Sequence, residues 1–361
     1  MAVRQRKAAG GSSGAGGTGA AESPYTELER ALKETYEAAK GGRTPSKLAS
    51  IGLGGLTARV YAEAYRSDIV ELEERRVIFE VRSRGDGGDE LPLCSVWLKF
   101  KYGEPYKFDV DCGILGSLAS RCARGEGCEL SWEEARTALG LAVWAASRLA
   151  ELAGIPAKVE RTGLVEAYDI GDGELHVLPC LQVSMNGKGY SMCQGLHLSR
   201  NTSGSWRVEG GFRLVPIGEA HIKIAEALME LEEMVKEHIW NRENEGAERI
   251  HIREHRGEFL GLEEVVLRRP DGAEEVLLKP VLPRLYYLGE GLAVVECSFF
   301  FDACMKSGDS ELADTIKKEL EEGMGKVVQA VRRYMETGDP RYTALAYIVA
   351  EALRKAGLVP A

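Results

Sequence analysis

SVWLKFKYGEPYKFDVD, residues 95–111, is the stretch on which the fold turns. Its two halves read as the arms of a β-hairpin joined at Gly103-Glu104. Leu98, Phe100, Phe108 and Val110 alternate onto one face, as a half-buried strand requires. The other face carries Lys99, Lys101, Asp109 and Asp111. Two aspartates at i and i+2 on a strand point the same way. Such a pair has the donor chemistry to hold Mg²⁺ or Mn²⁺, hard cations that take oxygen ligands and serve phosphate chemistry. The competing reading is structural: Lys99 and Lys101 on the facing arm would pair with the acids across the hairpin.

Outward from the hairpin, strand and helix patterns are mixed. Ser23-Pro24 has the N-cap and N1 chemistry of a helix that runs to about Lys40. Thr44-Pro45 opens a second expected helix, to about Tyr65. RRVIFEVRS (75–83) alternates as a strand. Ser131 and Glu134 form a capping box at the head of SWEEARTALGLAVWAASRLAELAG, whose wide apolar stripe calls for a sheet to pack on. Strands are expected over 157–162, 164–170 and 174–185, with turns at Asp172-Gly173 and Asn186-Gly187. A helix follows over 218–240, then a hairpin about Pro270-Asp271-Gly272, a strand-like 291–304, and helices over 310–335 and 340–356. The expected class is α+β: a mixed or antiparallel sheet packed by long helices, with a helical C-terminal part. The expected organisation is a disordered tail over 1–22, a mixed domain over 23–240 and a hairpin-plus-helix domain over 250–361. The polar stretch 241–249 marks the boundary.

Composition narrows the partners. The net charge is -10, which argues against coating nucleic acid non-specifically and leaves only a local basic groove. No run of about 18 apolar residues occurs, so no membrane helix is expected. The Gly/Ser-rich start has no apolar core of a secretory signal, which points to the cytoplasm. Gln and Asn are scarce while Glu and Arg abound, the pattern of a thermophile. Eight cysteines, 94, 112, 122, 128, 180, 193, 297 and 304, are open to three fates: free thiols, zinc ligands, or the internal disulfides that hyperthermophiles tolerate.

FDVD, the cysteines that follow it, the long helix and GIPAKVERTG come in an order that resembles the catalytic small subunit of archaeal and eukaryotic DNA primases, over about residues 94–170. The resemblance implies metal ligation by Asp109 and Asp111 and a zinc knuckle drawing on Cys112, Cys122 and Cys128. Thr162-Gly163 stands where that family has a Ser-Gly turn leading to a histidine. Tyr168-Asp169 occupies the histidine's place, which leaves His176 as a late substitute. Asp302 in FFFD is the available third acid. The same element order is similar to a half-domain of homing endonucleases, without the acidic residue at the end of the first helix.

HIREH (251–255) matches His-x-x-Glu-His, in which His251 and His255 would bind zinc and Glu254 act as base, provided the segment is helical. Ile250 and Ile252 alternate as in a strand instead. NGKG (186–189) with GLHLSR reads as a hairpin turn. The function expected is that of a nucleic-acid-associated accessory protein with protein partners, on a degenerate primase-like core. The alternatives are an active metal-dependent nucleotidyltransferase and a non-catalytic subunit of a larger assembly such as a CRISPR effector.

Overall fold

The computed structural model describes residues 23–44, 49–67, 72–84, 90–170, 173–230, 250–256, 261–268, 274–278, 284–298, 301–306 and 308–337. Helix α1 (Pro24–Lys40) starts at the expected proline and buries Leu28, Leu32, Tyr36 and Ala39. Five strands follow in an antiparallel meander: β1 (Ala49–Leu53), β2 (Leu56–Ser67), β3 (Leu72–Arg84), β4 (Glu90–Lys101) and β5 (Glu104–Asp111).

The helix expected from Pro45 to Tyr65 is thus corrected to a strand pair, turning at Gly54-Gly55 with Leu53 opposite Leu56. Ala58 and Val60 are fully buried on one face while Arg59 and Tyr61 sit on the other. This period of two prevails over the alanine-rich composition, because it gives the sheet an apolar side to bury. The hairpin quoted above forms, with its turn one residue earlier than expected. Lys101 pairs with Glu104, so Tyr102 and Gly103 are the turn, at φ 55° and 79°.

Helix α2 (Gly113–Ala123) and α3 (Trp132–Leu152) come next. The capping box of α3 closes as read: Ser131 Oγ accepts from the Glu134 amide, and the Glu134 carboxylate accepts from the Ser131 amide. Its buried stripe is mainly alanine, including Ala138, Ala142, Ala145 and Ala146. Small side chains let the helix lie close on the sheet, against Val96, Leu98 and Phe79 of the same core.

The second half of the chain overturns the expected fold class. Strands β6 (Ala157–Asp169), β7 (Leu175–Met185), β8 (Lys188–Arg200) and β9 (Trp206–Pro216) are followed by α4 (219–230). A separate three-stranded sheet holds β10 (Ile250–Arg256), β11 (Gly261–Arg268) and β12 (Glu274–Leu278). Then β13 (Leu285–Gly289) pairs with β6, and β14 (Leu292–Glu296) pairs with β9. Because β8 also pairs with β9, the strands β8, β7, β6, β13, β14 and β9 close a six-stranded antiparallel barrel. The molecule is therefore mostly β, rather than an α+β sheet packed by helices with a helical C-terminal part. Residues 285–296 complete a barrel with strands drawn from residues 157–216, and α5 (Phe301–Lys306) and α6 (Asp309–Thr337) follow them. The helix expected over 340–356 and the tail over 1–22 lie outside the described residues.

β8 is the seam. Its first half pairs with β7 and its second half with β5. The change of partner falls at Gln194, whose φ is 63°, and Gly195. A Cβ on Gly195 would stand 2.4 Å from the Val110 carbonyl oxygen, so only glycine lets β5 approach here. Opposite, the register with β9 jumps between Cys193 and His197, a bulge that bends the sheet into the barrel.

All eight cysteines are paired: Cys94–Cys112, Cys122–Cys128, Cys180–Cys193 and Cys297–Cys304. Cys180 and Cys193 are directly opposite each other on β7 and β8.

Candidate functional site

Helices α1, α2 and α3 cover one face of the sheet. On the face away from that core, residues from successive strands line up in rows. The first row runs Ile78, Trp97, Asp109, His197 and Gly210 across β3, β4, β5, β8 and β9. Asp109 is buried, 6% exposed. Its Oδ1 lies 2.9 Å from His197 Nδ1. Lys99 Nζ and Lys107 Nζ each stand 4.0 Å from its carboxylate. Trp97 is its direct cross-strand partner on β4, with the Lys99 ammonium 5.9 Å from the ring centroid. The indole Nε1 is buried with no hydrogen-bond partner among the described residues.

The metal expected at Asp109 and Asp111 does not fit these donors. Both oxygens of Asp109 face cations, and Asp111, exposed, accepts from the Gly113 amide at 2.9 Å. Among the described residues no group of three or more His, Cys, Asp or Glu side chains is placed to hold a metal ion. His176 and Asp302 therefore join no such group with the pair. His176 lies on β7 with its ring edge-on to Tyr286 at 5.4 Å. Asp302 is exposed in the first turn of α5.

Zinc fares no better at Cys112, Cys122 and Cys128. Zinc takes thiolates, and these sulfurs are bonded to Cys94 and to each other. HIREH forms strand β10. A strand separates residues four apart by about 13 Å of backbone, so His251 and His255 lack the one-turn spacing that the zinc motif needs. Lys99 takes the part expected of it beside Asp109. Lys101 instead pairs with Glu104 at the turn, and its ammonium sits 5.9 Å from the Tyr102 ring.

The second row is basic. Arg76, Lys99, Lys107, Ser199 and Arg207 succeed one another across β3, β4, β5, β8 and β9. At about 4.8 Å per strand, the row spans about 19 Å. Arg76 Nε donates to Glu74 at 2.9 Å, and Arg207 Nη2 to Glu209 at 3.2 Å. Each guanidinium has five N–H donors, so these bonds leave others to offer. Tyr106, the extra residue of a bulge in β5, donates its hydroxyl to Glu74 at 2.8 Å. Burial, then this hydrogen bond, pushes the Tyr106 hydroxyl up to about 12. Burial opposes ionisation of Glu74, but hydrogen bonds from Tyr106 and Arg76 outweigh it and hold the carboxyl below its ordinary value. A hollow of about 460 Å³ opens beside the row, lined by Tyr106, Lys107, Ser199 and Arg207.

The far end of the same face differs. There Arg59 pairs with Glu90, and Arg82 meets Glu80 at 2.8 Å and the Glu90 carbonyl at 2.7 Å. Charge is balanced there.

His197 is the residue that reading the sequence missed. Leu196 and Leu198 are fully buried, so strict alternation in GLHLSR was the available sign that His197 and Ser199 share the polar face. No protein-family model matches the chain, and neither a curated protein nor a solved structure does.

Proposed function

We propose that the protein is a nucleic-acid-associated accessory protein of a thermophile, and that it binds a single strand across the open sheet face. The observation that carries this reading is the row Arg76, Lys99, Lys107 and Arg207 on a chain of net charge -10. The four cations outnumber by one the acids beside them, Glu74, Asp109 and Glu209, and a locally positive strip on an acidic protein draws an anion to that place. Trp97, Tyr106 and His197 lie among the cations, and an open sheet face with rings among basic residues suits an extended strand, whose bases stack while its phosphates are neutralised. Net repulsion elsewhere on the surface disfavours indiscriminate coating.

The primase-like resemblance enters this reading as a degenerate core. The Asp-x-Asp strand is kept, and Asp109 is spent on holding Lys99, Lys107 and His197 in place. Partner proteins would supply the chemistry.

The test is fluorescence polarisation with labelled single-stranded DNA and RNA, titrated with salt. Four phosphate contacts give a slope of log K against log salt of about -3 for single strands. Lys99→Ala/Lys107→Ala should bring it to about -1.4. Absence of binding at low salt to both nucleic acids overturns the reading. Primer synthesis with Mn²⁺ should be absent in the wild type and unchanged in Asp109→Ala/Asp111→Ala.

A further inference from the structure

The basic hollow does not end at the sheet face. It continues through a second hollow of about 490 Å³ and into a cleft of about 740 Å³ at the end of the sheet. Arg200 lines all three spaces, Tyr106 joins the first two, and Glu104 and Pro105 join the last two. Five cations line the run, Lys107, Arg207, Arg200, Lys101 and Lys40, against the two acids Glu104 and Glu209.

Tyr102 marks where the run leaves the open face. It sits in a two-residue hairpin turn at φ 55°, a position that Asn or Gly fills at little cost and a bulky aromatic fills with strain. The ring is 72% exposed, so packing does not explain its choice. Residues in sparsely populated backbone regions are enriched at ligand-binding sites, and Tyr102 stands at the junction of the hollows.

The cleft beyond it differs in chemistry from the face. The C-terminal ends of α1 and α3 both reach it, at Lys40 and at Leu152 to Gly154. Helix C-termini present carbonyl oxygens and a partial negative charge. That repels a phosphate and welcomes N–H donors. Pro105, Pro156, Trp206 and Tyr36 supply apolar wall.

We infer that the strand bound on the open face turns past Tyr102 and Arg200, where its backbone is neutralised, and seats nucleobases in the cleft. This inference rests on the single-strand reading above and adds a path and a base-accepting end to it. Phosphates stay with Lys101, Lys107 and Arg200. Bases go where carbonyls meet their amino and imino hydrogens.

The experiment compares oligonucleotides of four and twelve nucleotides in wild type, Tyr102→Ser, Arg200→Ala and Ser205→Trp, the last a bulky residue at an exposed position of the cleft wall. The three variants should lose about fivefold to tenfold affinity for the twelve-mer, as expected for one lost stacking or phosphate contact. The four-mer, which the open face accommodates alone, should bind wild type, Tyr102→Ser and Ser205→Trp alike, and Arg200→Ala more weakly, because Arg200 also lines the open-face hollow. Because Arg200 also bonds the Gly204 carbonyl at 3.0 Å and pairs with the Glu104 carboxylate at 3.1 Å, thermal melts accompany the binding data, and Tyr102→Ser carries the test if Arg200→Ala melts early. A 4-thiouridine at either end of the twelve-mer should crosslink to the peptide holding Trp206. If the variants bind the twelve-mer like wild type while Lys99→Ala/Lys107→Ala weakens it, the path is wrong and the open-face reading stands. If neither oligonucleotide binds wild type, both fall.

Discussion

Asp109 and His197 stand opposite each other on β5 and β8, joined by a 2.9 Å contact between Oδ1 and Nδ1. A carboxylate only accepts hydrogen bonds, so Nδ1 carries the hydrogen and Nε2 is the nitrogen left for solvent or a ligand. The aspartate therefore orients the imidazole and offsets two lysines at once. Asp109→Asn keeps an acceptor for Nδ1 and removes the charge. With unit charges 4.0 Å apart, one interaction is worth about 1 kcal/mol in bulk water and more at this buried carboxylate, so that figure sets the least effect expected. The variant should bind single-stranded nucleic acid more tightly at low salt, by about fivefold or more, measured by polarisation. Weaker binding would mean that the carboxylate itself serves the ligand.

Stability should respond to pH through Glu74 and Tyr106. Glu74 titrates below its ordinary 4.5 when folded. Its contribution is present above that value and is lost as pH falls through the lower, folded one. Tyr106 moves the other way, from 10.0 to about 12. Its contribution is present below 10.0 and is lost as pH rises toward 12. Tyr106→Phe removes the shared hydrogen bond, so urea unfolding of this variant should show a shallower acid limb and a shallower alkaline limb than wild type. Tyr36, Tyr61 and Tyr286, also raised by burial, keep part of the alkaline slope in place.

The disulfides should reduce in order of access. Cys128 is exposed and Cys122 half-buried, whereas the other six cysteines are no more than 5% exposed. Mild reductant followed by alkylation and mass spectrometry should label Cys122 and Cys128 first, with the fold intact. Their short loop contributes about 2 kcal/mol by chain entropy, against about 3 kcal/mol for Cys94–Cys112. Labelling of Cys180 or Cys193 before unfolding would contradict the buried seam.

The α3 capping box gives a local check. Ser131→Ala removes the acceptor for the Glu134 amide and should cost about 1 kcal/mol. Chemical denaturation measures it, and nucleic-acid binding should not change.

The parts legible from sequence were local. Pro24 at the head of α1, the Ser131–Glu134 box and the alternation of Leu98, Phe100, Phe108 and Val110 act over a few residues and formed as expected, whereas the Ser23 side chain makes no cap hydrogen bond. The barrel depends on β13 meeting β6, with Tyr287 opposite Tyr168, more than a hundred positions away along the chain. Nothing local encodes that pairing. The same holds for His197, which meets Asp109 at a separation of 88 residues. The false helix over 45–65 has a different cause. Alanines at 58, 62 and 64 raise helix propensity, and the sheet's demand for a buried face outweighs it. His176, expected as a late substitute, lies on β7, whereas the histidine that meets Asp109 is on β8.

A single strand, β8, is a stave of the barrel at one end and carries His197 on the open face at the other. Its two halves cannot be lengthened or slipped independently, because Gly195 sits against Val110 and the Cys180–Cys193 bond fixes the register beside it. An insertion anywhere from 189 to 199 would rotate the open sheet face out of alignment with the barrel. The tip of the β8–β9 hairpin, 201–205, lies outside both pairings but walls the hollows and the cleft, so a change of length there would reshape the cleft and leave the register of the barrel intact.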